Sequence, residues 1–387
     1  MVGKEHLARI EPSARPAGHG PAPRRQIGWE KTAGEAERVP AGCDEEVSLG
    51  SAGKPVAGVL REGRGLSMDE KSPESSERRP VRAWLGPDQP EGVRAAIVMA
   101  GGVLTSVEDA NVMIWCSHDH DVSGVAKRLH RGIEWVQIDS AGVDHWFAAG
   151  LVDGARVWTC AKGQYGAAVA EHAVGLILAG LRRFKELICS GRWAPQQGTA
   201  LIGKTIGILG AGGIGRELIA RLAPFGVRII ALSEPGGPVE GADESLGPDE
   251  VDSLLRQSDI VVVAVPLTPR TRGMIGREEL DLIGPQGWLV NVSRGGLVQT
   301  DELVAALRDG RLRGACLDVT DPEPLAEGHP LWAMPNVLIT SHTANAVAVA
   351  GERDSRLVAY AQLTEENVRR FAERKELLGA IEARGGY

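Results

Sequence analysis

Apolar positions along the chain fall into short continuous runs separated by helix-like stretches. Val81 to Leu85, Val112 to Trp115, Trp135 to Ile138 and Val157 to Thr159 are predicted strands, and their spacing predicts a small α/β unit from residue 81 to about 160. Ala167 to Leu187 is apolar around its whole circumference, which predicts one buried helix that links two domains or lies in a subunit interface. From Gly203 to Thr340 a strand, turn, helix pattern repeats. Its strands are Thr205 to Leu209, Val227 to Leu232, Asp259 to Ala264, Trp288 to Val292, Ala315 to Val319 and Val337 to Thr340. Six strands with intervening helices predict a doubly wound parallel sheet. Between the first two, Ile214, Leu218, Ile219 and Leu222 share one helical face, as a crossover helix covering a sheet requires. Ala346 to Phe371 is again helical in pattern.

Residues 1 to 80 break this pattern. Stretches such as PSARPAGHGPAPRR and DEKSPESSERRP carry no apolar period, so a disordered leader is expected, and Met68, just ahead of the first strand, is an alternative start. At 387 residues the remainder is long enough for two domains. A net charge of -8 gives no electrostatic reason to expect nucleic acid or an anionic membrane as partner. The longest apolar stretch, Ala173 to Leu181, is far short of the roughly 20 residues of a membrane helix. The five cysteines (Cys43, Cys116, Cys160, Cys189 and Cys316) are scattered, with no C-x-x-C pair, which predicts neither a disulfide framework nor a zinc site and fits a reducing, cytoplasmic setting.

Candidate chemistry begins at GILGAGGIG. Gly210, Gly212 and Gly215 stand between a predicted strand and a predicted helix, the setting that the G-x-G-x-x-G pattern needs. The first glycine makes the turn, the second lets the backbone approach a pyrophosphate, and the third lets helix and strand pack closely. The N–H groups of the intervening Ala211, Gly213 and Ile214 belong to the same phosphate-binding helix start. A carboxylate at the end of the second strand accepts hydrogen bonds from ribose hydroxyls and repels a 2′-phosphate. Here that strand ends in Leu232, Ser233, Glu234, so NAD is favoured by Glu234, while Ser233 leaves NADP open.

Further on come VNVSRGGLVQTDELVAAL, LDVTDPEPLAEGHPLWAMPNVLIT and SHTAN. With the AGVD turn at Ala141 to Asp144 and VAEHAVGLILAGLRR, they make the chain from residue 81 to its end resemble the D-isomer-specific 2-hydroxyacid dehydrogenases. The resemblance implies a Rossmann NAD-binding domain at 173–345. It also implies a smaller flavodoxin-like substrate domain assembled from 81–172 and 346–387, and a homodimer. It further implies that Arg294 orients the substrate, that His342 is the acid/base and that Glu323 supports the histidine. A guanidinium matches a carboxylate with a planar fork of donors, so Arg294 can clamp a 2-oxo acid and polarise its carbonyl. A carboxylate hydrogen-bonded to an imidazole fixes the ring and favours its protonated form, ready to give a proton as hydride arrives from the nicotinamide. By the same resemblance, Ala141, Gly142 and Val143 hold the substrate carboxylate with backbone N–H groups. Pro266, Thr271 and Val292 face the cofactor, and Asp318 meets the nicotinamide amide.

Each residue also has a plain alternative: Arg294 as a helix cap or a partner of Asp301, Glu323 as a solvated loop carboxylate, His342 as a satisfied histidine at a strand end. The chain departs from the family pattern at Ser341, where proline is usual, and at Ser233, where the ribose-binding aspartate is usual. Glu323 argues against the formate dehydrogenase branch, which uses glutamine there, and the late position of the glycine loop argues against the L-specific dehydrogenases. The C-terminal binding proteins are similar in fold, and a NAD-binding corepressor-like scaffold is the alternative function. Trp115, His118, His120 and Trp146 are candidates to line the substrate side, the two tryptophans being equally readable as core.

Overall fold

The computed structural model describes residues 78–117, 122–193, 198–233, 236–346 and 355–382. The expected leader therefore lies outside the described residues, save for Arg78 to Pro80, as do His118, His120 and Glu234.

Two parallel sheets organise the rest. The first contains β1 (Arg82–Pro87), β2 (Val103–Leu104), β3 (Val112–Cys116), β4 (Trp135–Ile138) and β5 (Val157–Thr159), in the order β2-β1-β3-β4-β5. That is the flavodoxin-like order. Its helices are α1 (Glu91–Met99), α2 (Ser123–Ala126) and α3 (Asp144–Ala148). Then follow α4 (Gly166–Leu181) and α5 (Phe184–Cys189).

The second sheet contains β6 (Thr205–Leu209), β7 (Arg228–Leu232), β8 (Glu244–Leu246), β9 (Ile260–Val263), β10 (Trp288–Asn291), β11 (Gly314–Leu317) and β12 (Val337–Ile339). Their order is β12-β11-β10-β9-β6-β7-β8. Strand order reverses between β6 and β9, which is the crevice where open α/β sheets take their ligands. The accompanying helices are α6 (Gly213–Leu222), α7 (Val251–Gln257), α8 (Arg277–Ile283), α9 (Thr300–Arg308) and α10 (Pro330–Ala333). The last helix, α11 (Ser355–Ala372), packs on the first sheet.

The ten expected strands all form. Most of their residues are buried, so most of these strands read in sequence as nearly continuous apolar runs. The doubly wound sheet has one strand more than expected, the short edge strand β8. The long apolar run from Ala167 divides into two helices, because Arg183 takes a left-handed conformation (φ 57°) that ends α4. The halves differ in burial: α4 buries Val169, Ala170, Ala173, Leu176, Ile177 and Leu181 against the second sheet, whereas α5 buries no residue.

Polar groups in the core anchor α11. Tyr360 Oη donates to the carbonyls of Trp115 (2.8 Å) and Gln137 (3.2 Å), and Gln137 is bonded to both Thr364 and Asn367. Every member of this fully buried group has a partner, so it fixes the helix on the sheet without leaving a polar atom stranded. On this packing we propose the two-domain division expected from sequence, with α4 running across its boundary.

Candidate active site

The glycine loop joins β6 to α6. Gly210 turns the chain with a φ of 104°, and a Cβ there would lie 2.8 Å from the Ala264 carbonyl oxygen at the end of β9. A Cβ on Gly215 would lie 2.2 Å from the Gly210 carbonyl oxygen, so only glycine lets α6 start this close to β6. Gly212 is the N-cap of α6 and offers no side-chain cap to the first turn, and a Cβ on it would meet nothing within 4 Å. An uncapped helix start facing open space is suited to a phosphate group, so these residues fit a dinucleotide. Ala211 is buried, and Ile214 packs half-buried against the core beside Leu218, Ile219 and Leu222. Ser233 follows β7, its N–H bonded to the Leu246 carbonyl.

The wall across the crevice comes from the loops after β9 and β10. Thr271 Oγ1 donates to the Pro266 carbonyl (2.7 Å), which closes the VPLTPRT loop on itself. Ser293 Oγ donates to the Val265 carbonyl (2.5 Å), locking that loop to the one that carries Arg294, with Val292 buried beneath it.

Arg294 reaches over to the first sheet. Its Nε bonds Asp144 Oδ1 (3.1 Å) and its Nη1 bonds the Ser293 carbonyl (2.9 Å). Its Nη2 lies over Gly142, only 1.5 Å from where a Cβ on that glycine would stand. Thus the AGVD turn and Arg294, which the sequence places far apart, form one surface. Gly142 and Val143 are buried, and Ala141 is half-buried beside them. The partner of Arg294 is Asp144, at the first turn of α3, rather than Asp301.

The histidine pair sits on the loops after β11 and β12. His342 Nδ1 and Glu323 Oε1 are 2.6 Å apart, with the two side chains 43% and 41% exposed, so the pair is open to an incoming molecule. With Nδ1 engaged by the carboxylate, Nε2 is the ring atom left to exchange a proton with a ligand. The loop of Glu323 packs backbone to backbone on that of Arg294: a Cβ on Gly295 would fall 1.9 Å from the Thr320 carbonyl oxygen. His342 itself is held in the left-handed region, at φ 52°, an arrangement that costs a non-glycine residue about 1–3 kcal/mol and persists only where surroundings enforce it.

Asp318 does the enforcing. Its main-chain carbonyl accepts from the His342 N–H (2.8 Å), its Oδ1 from the Thr343 N–H (3.0 Å) and its Oδ2 from the Ala344 N–H (3.1 Å). Thr340 Oγ1 adds a further bond to Oδ1 at 2.5 Å. Burial by itself would push this carboxyl group up. Bonds from His172, Thr340 and the two amides outweigh it and hold the group down at about 2. The resemblance assigned Asp318 to the nicotinamide; its most evident task here is to fold the loop of His342. Sequence reading passed over Asp144, His172 and Thr340, although all three stand in segments it singled out. Trp115 and Trp146 are 2% and 1% exposed and belong to the core.

Comparison with known proteins agrees with the fold. Residues 174–344 match the NAD-binding domain model of the D-isomer specific 2-hydroxyacid dehydrogenases. An uncharacterized protein of Corynebacterium melassecola, from the proB 3' region, is 39% identical over 265 residues, which cover 67% of this chain and 85% of that one. The chain belongs to the D-isomer-specific 2-hydroxyacid dehydrogenase family. A glyoxylate reductase of Thermofilum pendens is 40% identical over 202 residues, 50% of this chain and 60% of the reductase's own length. Among solved structures, a family member from Xanthobacter autotrophicus Py2, crystallised with NADPH and MES, gives a TM-score of 0.67 at 28% identity, over 80% of this chain and 100% of that one. As in the family, the doubly wound sheet is a nicotinamide-dinucleotide-binding domain. Among the described residues no helix is long and apolar enough to cross a membrane, and no cluster of side chains is arranged for a metal ion.

Proposed function

We propose that this chain transfers hydride between NAD(H) and the 2-position of a small D-2-hydroxy acid or 2-oxo acid of the glyoxylate or hydroxypyruvate class. The observation that carries the reading is the His342–Glu323 pair, accessible to solvent, on the ligand-binding edge of a dinucleotide sheet. A bound nicotinamide supplies or accepts the hydride. His342 Nε2 gives a proton to the carbonyl oxygen during reduction and takes it back during oxidation, while Glu323 holds the ring through Nδ1. Arg294 keeps two of its nitrogens on Asp144 and Ser293 and presents Nη2 beside the Ala141–Val143 turn. One charged donor and the turn thereby face the same carboxylate. Pro266, Thr271 and Val292 form the cofactor-facing wall.

For the cofactor, NAD is our reading on the strength of Glu234 after Ser233, and initial rates with NADH and NADPH are the check. For assembly, a homodimer is favoured by α5, whose Phe184 and Ile188 are 48% and 78% exposed; sedimentation as a monomer would remove it. We place the protein in the cytoplasm on its cysteine usage.

The deciding experiment is NADH oxidation with glyoxylate, hydroxypyruvate, pyruvate and bulkier 2-oxo acids, repeated with His342→Ala. Turnover is expected with one of the small acids, and the variant should lose about a hundredfold to ten-thousandfold while still binding NADH. Near-normal rates in the variant would sink the assigned mechanism. No turnover by the intact protein on any acid would favour the corepressor-like scaffold instead.

A further inference from the structure

Helix α4 touches both halves of the reaction. Its first residue, Gly166, is so close to the glycine loop that a Cβ there would fall 2.8 Å from the Gly213 carbonyl oxygen. Gly163, just ahead of it, approaches the same residue: a Cβ on Gly213 would stand 3.1 Å from the Gly163 Cα. The start of α4 is therefore packed against the seat of the dinucleotide. Further along the same helix, about 9 Å by the helical rise, stands His172.

His172 Nε2 lies 3.0 Å from Thr340 Oγ1 and 3.4 Å from Asp318 Oδ1. The direction of these bonds follows from the groups involved. An ionised carboxylate only accepts, so the Thr340 hydroxyl hydrogen goes to Asp318 Oδ1. Thr340 Oγ1 is then an acceptor, and His172 must carry its hydrogen on Nε2 to donate to it. The chain of bonds runs from α4 through Thr340 to Asp318, and Asp318 in turn holds the amides of residues 342, 343 and 344. Without the imidazole, Thr340 and Asp318 lose this side-chain tie to α4, and the left-handed backbone at His342 loses its link to that helix.

We propose that His172 is a positioning residue for the proton-transfer step, setting the loop of His342 against the dinucleotide seat through Thr340 and Asp318, with α4 as the rigid spacer between them. The proposal rests on the reading of His342 as the acid/base. His172 never touches substrate; it governs where Nε2 of His342 stands when the hydride is delivered.

The test compares His172→Ala and His172→Gln with the intact chain and repeats both in a His342→Ala background. A glutamine places its side-chain N–H where Nε2 of the imidazole was, so it can still donate to Thr340. Three quantities are measured: kcat for 2-oxo acid reduction, KM for NADH, and hydrogen–deuterium exchange of the amides at 342–344. His172→Ala is expected to lower kcat about tenfold, since displacing a reacting group by a fraction of an ångström is enough for that. KM for NADH should stay within about twofold, the three amides should exchange faster, and His172→Gln should restore both properties. In the His342→Ala background the residual rate should no longer depend on residue 172, whereas the exchange should still respond. Unchanged kcat and exchange in His172→Ala would overturn the proposal, as would a glutamine variant as impaired as the alanine one, or a loss that falls on KM for NADH. If His342→Ala alone kept the full rate, the acid/base reading would fall. The exchange data would then still decide whether His172 holds the loop.

Discussion

Replacing Gly142 with alanine separates the fold from the reaction. The new methyl group would stand 1.5 Å from Arg294 Nη2 and 2.6 Å from its Cζ, where carbon and nitrogen need about 3.5 Å. The guanidinium must therefore retreat by roughly 2 Å. It is the free end of a long side chain, only partly buried, so it can swing away without moving the backbone. What the fold loses is its bond to Asp144, an ion pair with side chains 27% and 31% exposed and worth no more than about 1 kcal/mol. The reaction loses far more, since a 1 Å misplacement of an orienting group can cost on the order of a hundredfold. We expect kcat/KM for the 2-oxo acid to fall at least about a hundredfold, or about 2.7 kcal/mol of transition-state stabilisation. The melting temperature should drop by no more than a few degrees, and NADH affinity should be unchanged. Steady-state NADH oxidation, thermal unfolding and NADH fluorescence titration read the three quantities. A variant with wild-type kcat/KM would show that Nη2 of Arg294 plays no part over Gly142.

Gly215→Ala makes the opposite kind of clash, backbone against Cβ at 2.2 Å from the Gly210 carbonyl oxygen, with nothing flexible to yield. It should destabilise the fold by about 1–3 kcal/mol and weaken NADH binding at least about tenfold, as melting and titration would report. Asp318 makes an acid limb in the stability curve. Its carboxyl group is held at about 2 in the fold against an ordinary 3.8, so its contribution is complete above pH 4 and is lost as pH falls through about 2. That contribution is about 2 kcal/mol, and urea unfolding from pH 2 to 5 should show it in the intact protein and not in Asp318→Asn.

The sheets were legible in the sequence because strands covered on both faces leave long apolar runs. β2 and β8 were not: one has two residues, and the other, Glu244–Leu246, is a polar edge strand with a single neighbour. The break between α4 and α5 was hidden for another reason. No proline or glycine marks it, and only the left-handed backbone of Arg183 ends the helix. At the candidate site, Arg294, Glu323 and His342 could be nominated from their local patterns. Asp144 and His172 could not, because their roles depend on partners 150 and 168 residues away. Nothing in a single sequence window encodes such a meeting.

The left-handed backbone of His342 sets two kinds of selection against each other. Glycine at that position would adopt a φ of 52° without penalty, and asparagine would do so more easily than most residues. A library sorted only for heat resistance should therefore drift away from histidine at residue 342, gaining stability as it discards the proton transfer proposed for that residue. The same library sorted for turnover should hold the histidine and accumulate its compensating changes elsewhere, at sites that grip the loop.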